Sequence, residues 1–400
     1  MFSVRRRLDQ SFIKLDLAKQ NFFQLYDQTW LHIFLNGTLI MQIFLQLSAF
    51  LLAYNIQIIS EKYKLTWKVL PLAIINRWLR LTPAYALVLG VTATWLQYIG
   101  TGPLWNNLVT IEAKDCQKDW WKHLLYINNY FDNSNYTQLF ALGVIVIVLC
   151  KTPRSRIVVL SILFLLGMVV PGLHTYFQDL DGSLVVSPTT AVDLFVNDPT
   201  FNNVYKRGHT NISCYMLGLA SGYLVYYLQE INFDVSKYKR WLPVYWALLP
   251  FNFCLILLCK LNYAEGPRID VLYRVAIACL IKPIFGLSTT ILILGAIFKI
   301  EKYYRGFFEW RGWTWLGRLS FSAYLLQLAF IRTTAGIRTT SITGTYISMF
   351  EIVLFNLVAT YTAACIFYIT IETPLGELAK AILEPKKPEQ KTEAKVEKSD

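Results

Sequence analysis

Charge is scarce in this chain of 400 residues. Asp, Glu, Lys and Arg make up 16% of it, where a soluble chain carries about a quarter, which excludes an ordinary water-exposed globular domain. Paired cysteines are missing too. Cys150, Cys214, Cys254, Cys259, Cys279 and Cys365 fall in apolar runs, where cysteine acts as a small hydrophobe. Only Cys116 lies in a polar stretch, with no loop cysteine to pair with, so a disulfide framework is excluded. No spacing fits a metal-ligand set. There is no Gly-x-Ser-x-Gly elbow, no Walker loop and no dinucleotide fingerprint. Paired membrane acids and an internal inverted repeat are absent as well, which weakens a proton-coupled transporter.

Hydrophobic residues fill 55% of the chain and gather in runs of roughly 17 to 25, the length that crosses hydrocarbon. The expected fold is all-α: a polytopic integral membrane bundle of about nine transmembrane helices. The spans fall near 34–58, 82–99, 137–150, 157–173, 212–228, 242–260, 275–298, 319–331 and 346–371. The formal charge of +12 is explained by the membrane, without nucleic acid. Of the loop and tail cations, 22 fall on one side and 10 on the other, and the richer side, with the C-terminus, is cytosolic. A plasma-membrane or endoplasmic-reticulum protein fits this pattern.

Three regions follow: a lumenal segment 1–30, a transmembrane domain 31–383, and a disordered cytosolic tail 384–400 with Val396 as its one large aliphatic residue. Lumenal caps are expected near 101–136 and 174–211, and the sequon Asn135-Tyr136-Thr137 is a glycan acceptor in the first. Nine spans put the N-terminus in the lumen, yet Arg5, Arg6, Arg7, Lys14 and Lys19 make it basic. The third span, Thr137 to Cys150, has 14 residues, about 21 Å of helix. Both oddities point to missing pieces, one before residue 30 and one near residue 136.

Six stretches occur in order: "NGTLIMQIFLQLSAFLLAY" (36–54), "RWLRLTPAY" (77–85), "CQKDWWKHLLYINNY" (116–130), "GLASGYL" (218–224), "RLSFSAYLLQ" (318–327) and "IETPLGELAKAIL" (371–383). Together they resemble the type 3 membrane acyltransferase family, in its animal, insect-type nose-resistant-to-fluoxetine-like branch. The resemblance covers roughly residues 20–383. It implies transfer of acyl groups other than aminoacyl, from a cytosolic donor such as acyl-CoA, to hydroxyls of lipid or sugar acceptors, with no bound cofactor. The family's histidine-bearing first helix has no counterpart here. Where the family carries aspartate, arginine and histidine, this chain has Gln42, Asn211 and Gln327. These departures raise the alternatives of a catalytically inactive relative, or of a membrane protein that binds or transports lipids or hydrophobic small molecules without chemistry. A seven-span receptor fails on span count and tail parity.

Acyl transfer needs a base for the hydroxyl proton, oxyanion donors and cations for the donor's phosphates. Arg77 and Arg80 share a helix face and suit the donor; the plain alternative is positive-inside anchoring. His209 is the best remaining base and His32 the second, each weighed against an interfacial histidine bonded to backbone. His123 reads as structural and His174 as a membrane-edge marker. Glu372 is read as a brace to Arg77, Arg80 or Arg318. Lys282 is expected to snorkel at the lumenal rim. Residues 70–80 are expected to lie along the cytosolic interface, with Thr82-Pro83 starting the second span.

Overall fold

The computed structural model describes residues 28, 32–35, 37–62, 69–125, 137–150, 152–184, 198–205, 207–234, 239–258, 269–338 and 346–383. Asn135, residues 1–27 and the tail 384–400 lie outside these. Every element among the described residues is helical. A single turn, His32–Leu35, precedes α1 (Gly37–Lys62), α2 (Val69–Thr94) and α3 (Ile111–Leu124). Then come α4 (Thr137–Leu149), α5 (Pro153–Phe177), α6 (Ile212–Glu230), α7 (Leu242–Leu258) and α8 (Val271–Ile297). The chain closes with α9 (Tyr303–Phe308), α10 (Arg311–Ile337), α11 (Tyr346–Phe367) and α12 (Thr373–Leu383).

Each expected span falls on a helix, and six helical stretches are long and apolar enough to cross a membrane. This is an integral membrane protein. The other three expected spans are α4, α6 and α10. With 13 residues, α4 reaches about 20 Å. Helix α10 carries Arg311, Arg318 and Arg332. Helix α6 has little need of an apolar exterior, because α1, α5 and α8 pack around it and nine of its residues are buried.

The α1–α6 seam is the centre of the bundle. Gly218 and Gly222, four residues apart, let α6 approach the backbone of α1 at Gln46 and Phe50, beside the fully buried Ala49 and Ala53. Small residues at such spacing let two helices close up in lipid, where packing replaces the hydrophobic drive. Leu45, Ile147, Leu160, Tyr215, Met216 and Leu219 complete the core. Helix α5 starts cleanly: the Thr152 side chain accepts from Ser155 N, and Pro153 takes the first turn.

Two expectations are corrected. Helix α2 runs unbroken from Val69 through Pro83, so Thr82-Pro83 does not start it; its first half is held by Ala73 and Ile74 against Val144 and Val148 of α4. The segment expected as a lumenal cap instead contains α3, which returns along α2. Gln117 Nε2 donates to Ala93 O (2.6 Å) at one end, and Trp78 Nε1 donates to Leu124 O (3.0 Å) at the other. Residues 78 and 93 are about 22 Å apart along the axis. Cys116 is accordingly not in a loop: it is buried in α3 against Leu89 and Ala93.

Candidate functional site

Two glutamines one turn apart on α1 point into the bundle, each 1% exposed. A buried amide must find partners or carry a desolvation cost. Gln46 finds them on α8: its Nε2 donates to Gly286 O (3.0 Å) and to Thr290 Oγ1, and its Oε1 accepts from Thr289 (2.7 Å). Gln42 Nε2 donates to Asn211 Oδ1 (2.9 Å), while Gln42 Oε1 is buried with no protein donor among the described residues.

Asn211 is the hub. It ends a 3₁₀ turn, Gly208–Asn211, that leads into α6. Its amide nitrogen donates to the carbonyls of Tyr205 and Arg207 (both 2.9 Å). Lys282, from α8, reaches the same Oδ1 at 2.9 Å and donates to Thr210 O (3.3 Å) and Val204 O (3.4 Å). The expected snorkelling lysine is therefore tied to the 204–211 segment. All its acceptors are neutral; no carboxylate pairs with it among the described residues.

A second file of polar groups adjoins this hub. His209 Nε2 lies 3.2 Å from His174 Nε2; His174 Nδ1 lies 3.2 Å from Gln178 Nε2; Gln178 Oε1 accepts from Asn203 (2.9 Å). Between the two rings one nitrogen donates and the other accepts, so the pair shares one proton. Burial, then the neighbouring His174, Arg207 and Lys282, hold His209 below the usual histidine pKa. His174 is thus more than an edge marker. Sequence reading missed this partnership because 35 residues separate the two rings. His32 is also buried, but its turn packs against α7, whereas the turn bearing His209 packs on α5.

Arg77 and Arg80 differ in setting. Arg80 is exposed and Arg77 half-buried, within electrostatic reach of Tyr215, one turn along α6 from Asn211 and so about 6 Å deeper in the bundle. The brace at Glu372 takes a different partner from Arg318: Ser322 Oγ donates to its carboxylate, and the Arg318 guanidinium lies 5.5 Å over the Trp315 ring. His123 Nδ1 lies 3.1 Å from Tyr85 Oη, a contact between α3 and α2. Gln327 stands apart on α10, half-buried.

Of the three positions where the resemblance led to a charge and the chain has an amide, two are in contact: Gln42 and Asn211, 169 residues apart. An aspartate and an arginine there would pair as ions; a glutamine and an asparagine keep the hydrogen bond without the charges.

The described residues hold no group of three or more metal-ligating side chains. No family model matches the chain, and no solved structure matches it. Over 350 residues it is 24% identical to nose resistant to fluoxetine protein 6 of Caenorhabditis elegans, covering 80% of this chain and 41% of that protein. The chain thus spans about two-fifths of the length of the curated relative it matches. It is a distant homologue of that nematode protein. The match carries neither the insect-type assignment nor the expected loss of a first helix.

Proposed function

We propose that this membrane protein transfers an acyl group from a cytosolic thioester donor, acyl-CoA, to a hydroxyl of a lipid or sugar acceptor. The observation that carries the reading is the polar cluster of His209, His174, Lys282, Asn211 and Gln42, in which Gln42 and Asn211 are buried and the two histidines half-buried. It is rich in donors and neutral acceptors, as a hydroxylated acceptor requires, and its histidine is held neutral at pH 7.

In this mechanism the acceptor oxygen attacks the thioester carbonyl and His209 takes the hydroxyl proton. In the resting state Gln178 Nε2 donates to His174 Nδ1 and His174 Nε2–H donates to His209 Nε2, so the acceptor hydroxyl displaces His174 from that Nε2 lone pair before His209 takes its proton. The C–S bond then breaks, and the proton passes to the departing thiolate. Lys282 supplies positive charge near the developing oxyanion. Arg77 and Arg80 hold the donor's phosphates. The pantetheine arm separates phosphates from thioester, so grip and base stand apart along the bundle. The side bearing Arg80 and the C-terminal tail is cytosolic in this reading, because it carries the cationic excess.

The test is turnover of labelled acyl-CoA by the purified chain in lipid nanodiscs, with lipid and sugar acceptors supplied. His209→Gln should lower kcat by about 10²–10⁴-fold, the range for a lost general base. Arg77→Ala/Arg80→Ala should raise KM for acyl-CoA. Saturable binding of acceptor lipid without turnover in the unaltered chain sinks the enzymatic reading.

A further inference from the structure

At the end of the bundle away from His209, α6, α7 and α8 line an open-sided cavity of about 340 Å³. Leu228, Trp241, Val244, Tyr245, Leu294 and Phe298 form most of its wall. Tyr245 contributes only its ring face, since its hydroxyl donates to Leu292 O (3.0 Å). Gly295 indents the floor: a Cβ there would lie 2.1 Å from that ring. The wall therefore offers a lodging for hydrocarbon and nothing for a polar ligand.

The mouth is different. Lys239 and Arg240 immediately precede Trp241, and Lys299 lies between the lining residues Phe298 and Ile300. With Lys302 these four cations are exposed, and no carboxylate pairs with them among the described residues. Two acids next to these cations in the chain are engaged elsewhere. Glu301 is buried and caps the next helix, accepting from Tyr303 N (2.7 Å) and Arg305 N (3.0 Å). Glu309 is paired with Arg305 (3.2 Å).

The depth of the mouth is fixed by aromatic side chains. Helix α9 docks on α7 through Tyr304 Oη donating to Trp246 O (3.0 Å) and Tyr303 packed edge-on to Trp246 at 6.1 Å. It leaves Tyr303, Phe307, Phe308 and Trp310 exposed. Such a belt sits at headgroup level.

We propose that this cavity is a binding site for an anionic glycerophospholipid, with one acyl chain between α7 and α8 and its phosphate at Arg240 and Lys299. An apolar slot and an unpaired cationic rim at headgroup depth match the two ends of that molecule, whereas a soluble phosphate has no use for the slot. The site is independent of the proposed transfer reaction.

The experiment uses the full chain, delipidated in detergent, with dioleoyl phosphatidylserine, dioleoyl phosphatidylcholine and glycerol 3-phosphate as probes in native mass spectrometry. Phosphatidylserine should be retained and phosphatidylcholine lost. Arg240→Gln/Lys299→Gln should weaken phosphatidylserine by on the order of 25-fold, about fivefold for each charge. Val244→Trp, which fills the slot from its exposed side, should remove it. Unchanged retention by the double variant, equal retention of both lipids, or equally tight glycerol 3-phosphate overturns the site. Circular dichroism of each variant checks that the fold persists.

Discussion

Gly218→Ala puts one methyl group into the α1–α6 seam. The added Cβ would stand 2.3 Å from the carbonyl oxygen of Gln46 and 2.7 Å from Ala49 Cβ. Ordinary contact begins at 3.4 Å, so the helices must part by roughly 1 Å. The neighbour is backbone, which cannot swing aside as a side chain can. Overpacking of this kind costs about 1–3 kcal/mol. It is offset by about 0.5–1 kcal/mol for replacing a helical glycine with alanine. A net loss of about 0–2.5 kcal/mol follows, and displacing Gln46 also strains its bonds to Gly286 and Thr289. Gly90→Ala is the control: nothing lies within 4 Å of its added Cβ, so it should gain about 0.5–1 kcal/mol. Unfolding of both variants in detergent, followed by tryptophan fluorescence, compares them directly. A Gly218→Ala protein as stable as Gly90→Ala would refute the tight seam.

Other outcomes rest on other parts of the fold. Arg274 is 4% exposed and donates to Asp179 Oδ1 (2.6 Å), Leu180 O (2.9 Å) and Ile269 O (3.1 Å); Arg274→Met should cost about 1–3 kcal/mol for each buried carbonyl left without a donor. Asp179→Asn, whose carboxylate is largely exposed, should cost less than about 1 kcal/mol and keeps a residue suited to its φ of 50°, which chemical denaturation can confirm. Burial holds the folded-state pKa of His209 below the usual histidine value of about 6.5, so on acidification the unfolded chain takes up its proton first. Its contribution should be constant above about pH 6.5 and destabilising below, and His209→Gln should flatten that part of a melting-temperature profile. Lys282→Met should loosen residues 204–211, read as faster amide exchange there, because Thr210 O loses the Lys282 donor and Val204 O keeps only the Thr210 hydroxyl.

Most helices were legible because a long apolar run has few alternatives to a helix when no water is available for the backbone. The polar parts were less so. Helix α3 was read as loop because IEAKDCQKDWWKHL is dominated by charge; its buried residues, Ala113 and Cys116, lie three apart, a helical spacing hidden by its surroundings. The start of α2 was misplaced because proline is a strong helix-start signal, while packing on α4 carries the helix through Pro83. The site divides the same way. His209 and Lys282 stood out as rare residue types in apolar settings, but their partners, His174 and Asn211, come from 35 and 71 positions away. Spacing says nothing of such pairs.

Pro83 leaves a mechanical mark on α2. It offers no N–H to the carbonyl of Leu79, and its ring crowds that carbonyl, so the helix is weakest between Arg80 and Tyr85. The two halves lean mainly on different helices, although α3 also reaches back across the joint to Trp78. The half with Arg77 rests on α4, and the half with Leu89 and Ala93 rests on α3. A change of a few degrees there would swing the two arginines relative to α6 at the expense of the Trp78–Leu124 bond, while Leu89 and Ala93 kept their packing. In that respect α2 is a lever with its fulcrum at a single missing hydrogen bond.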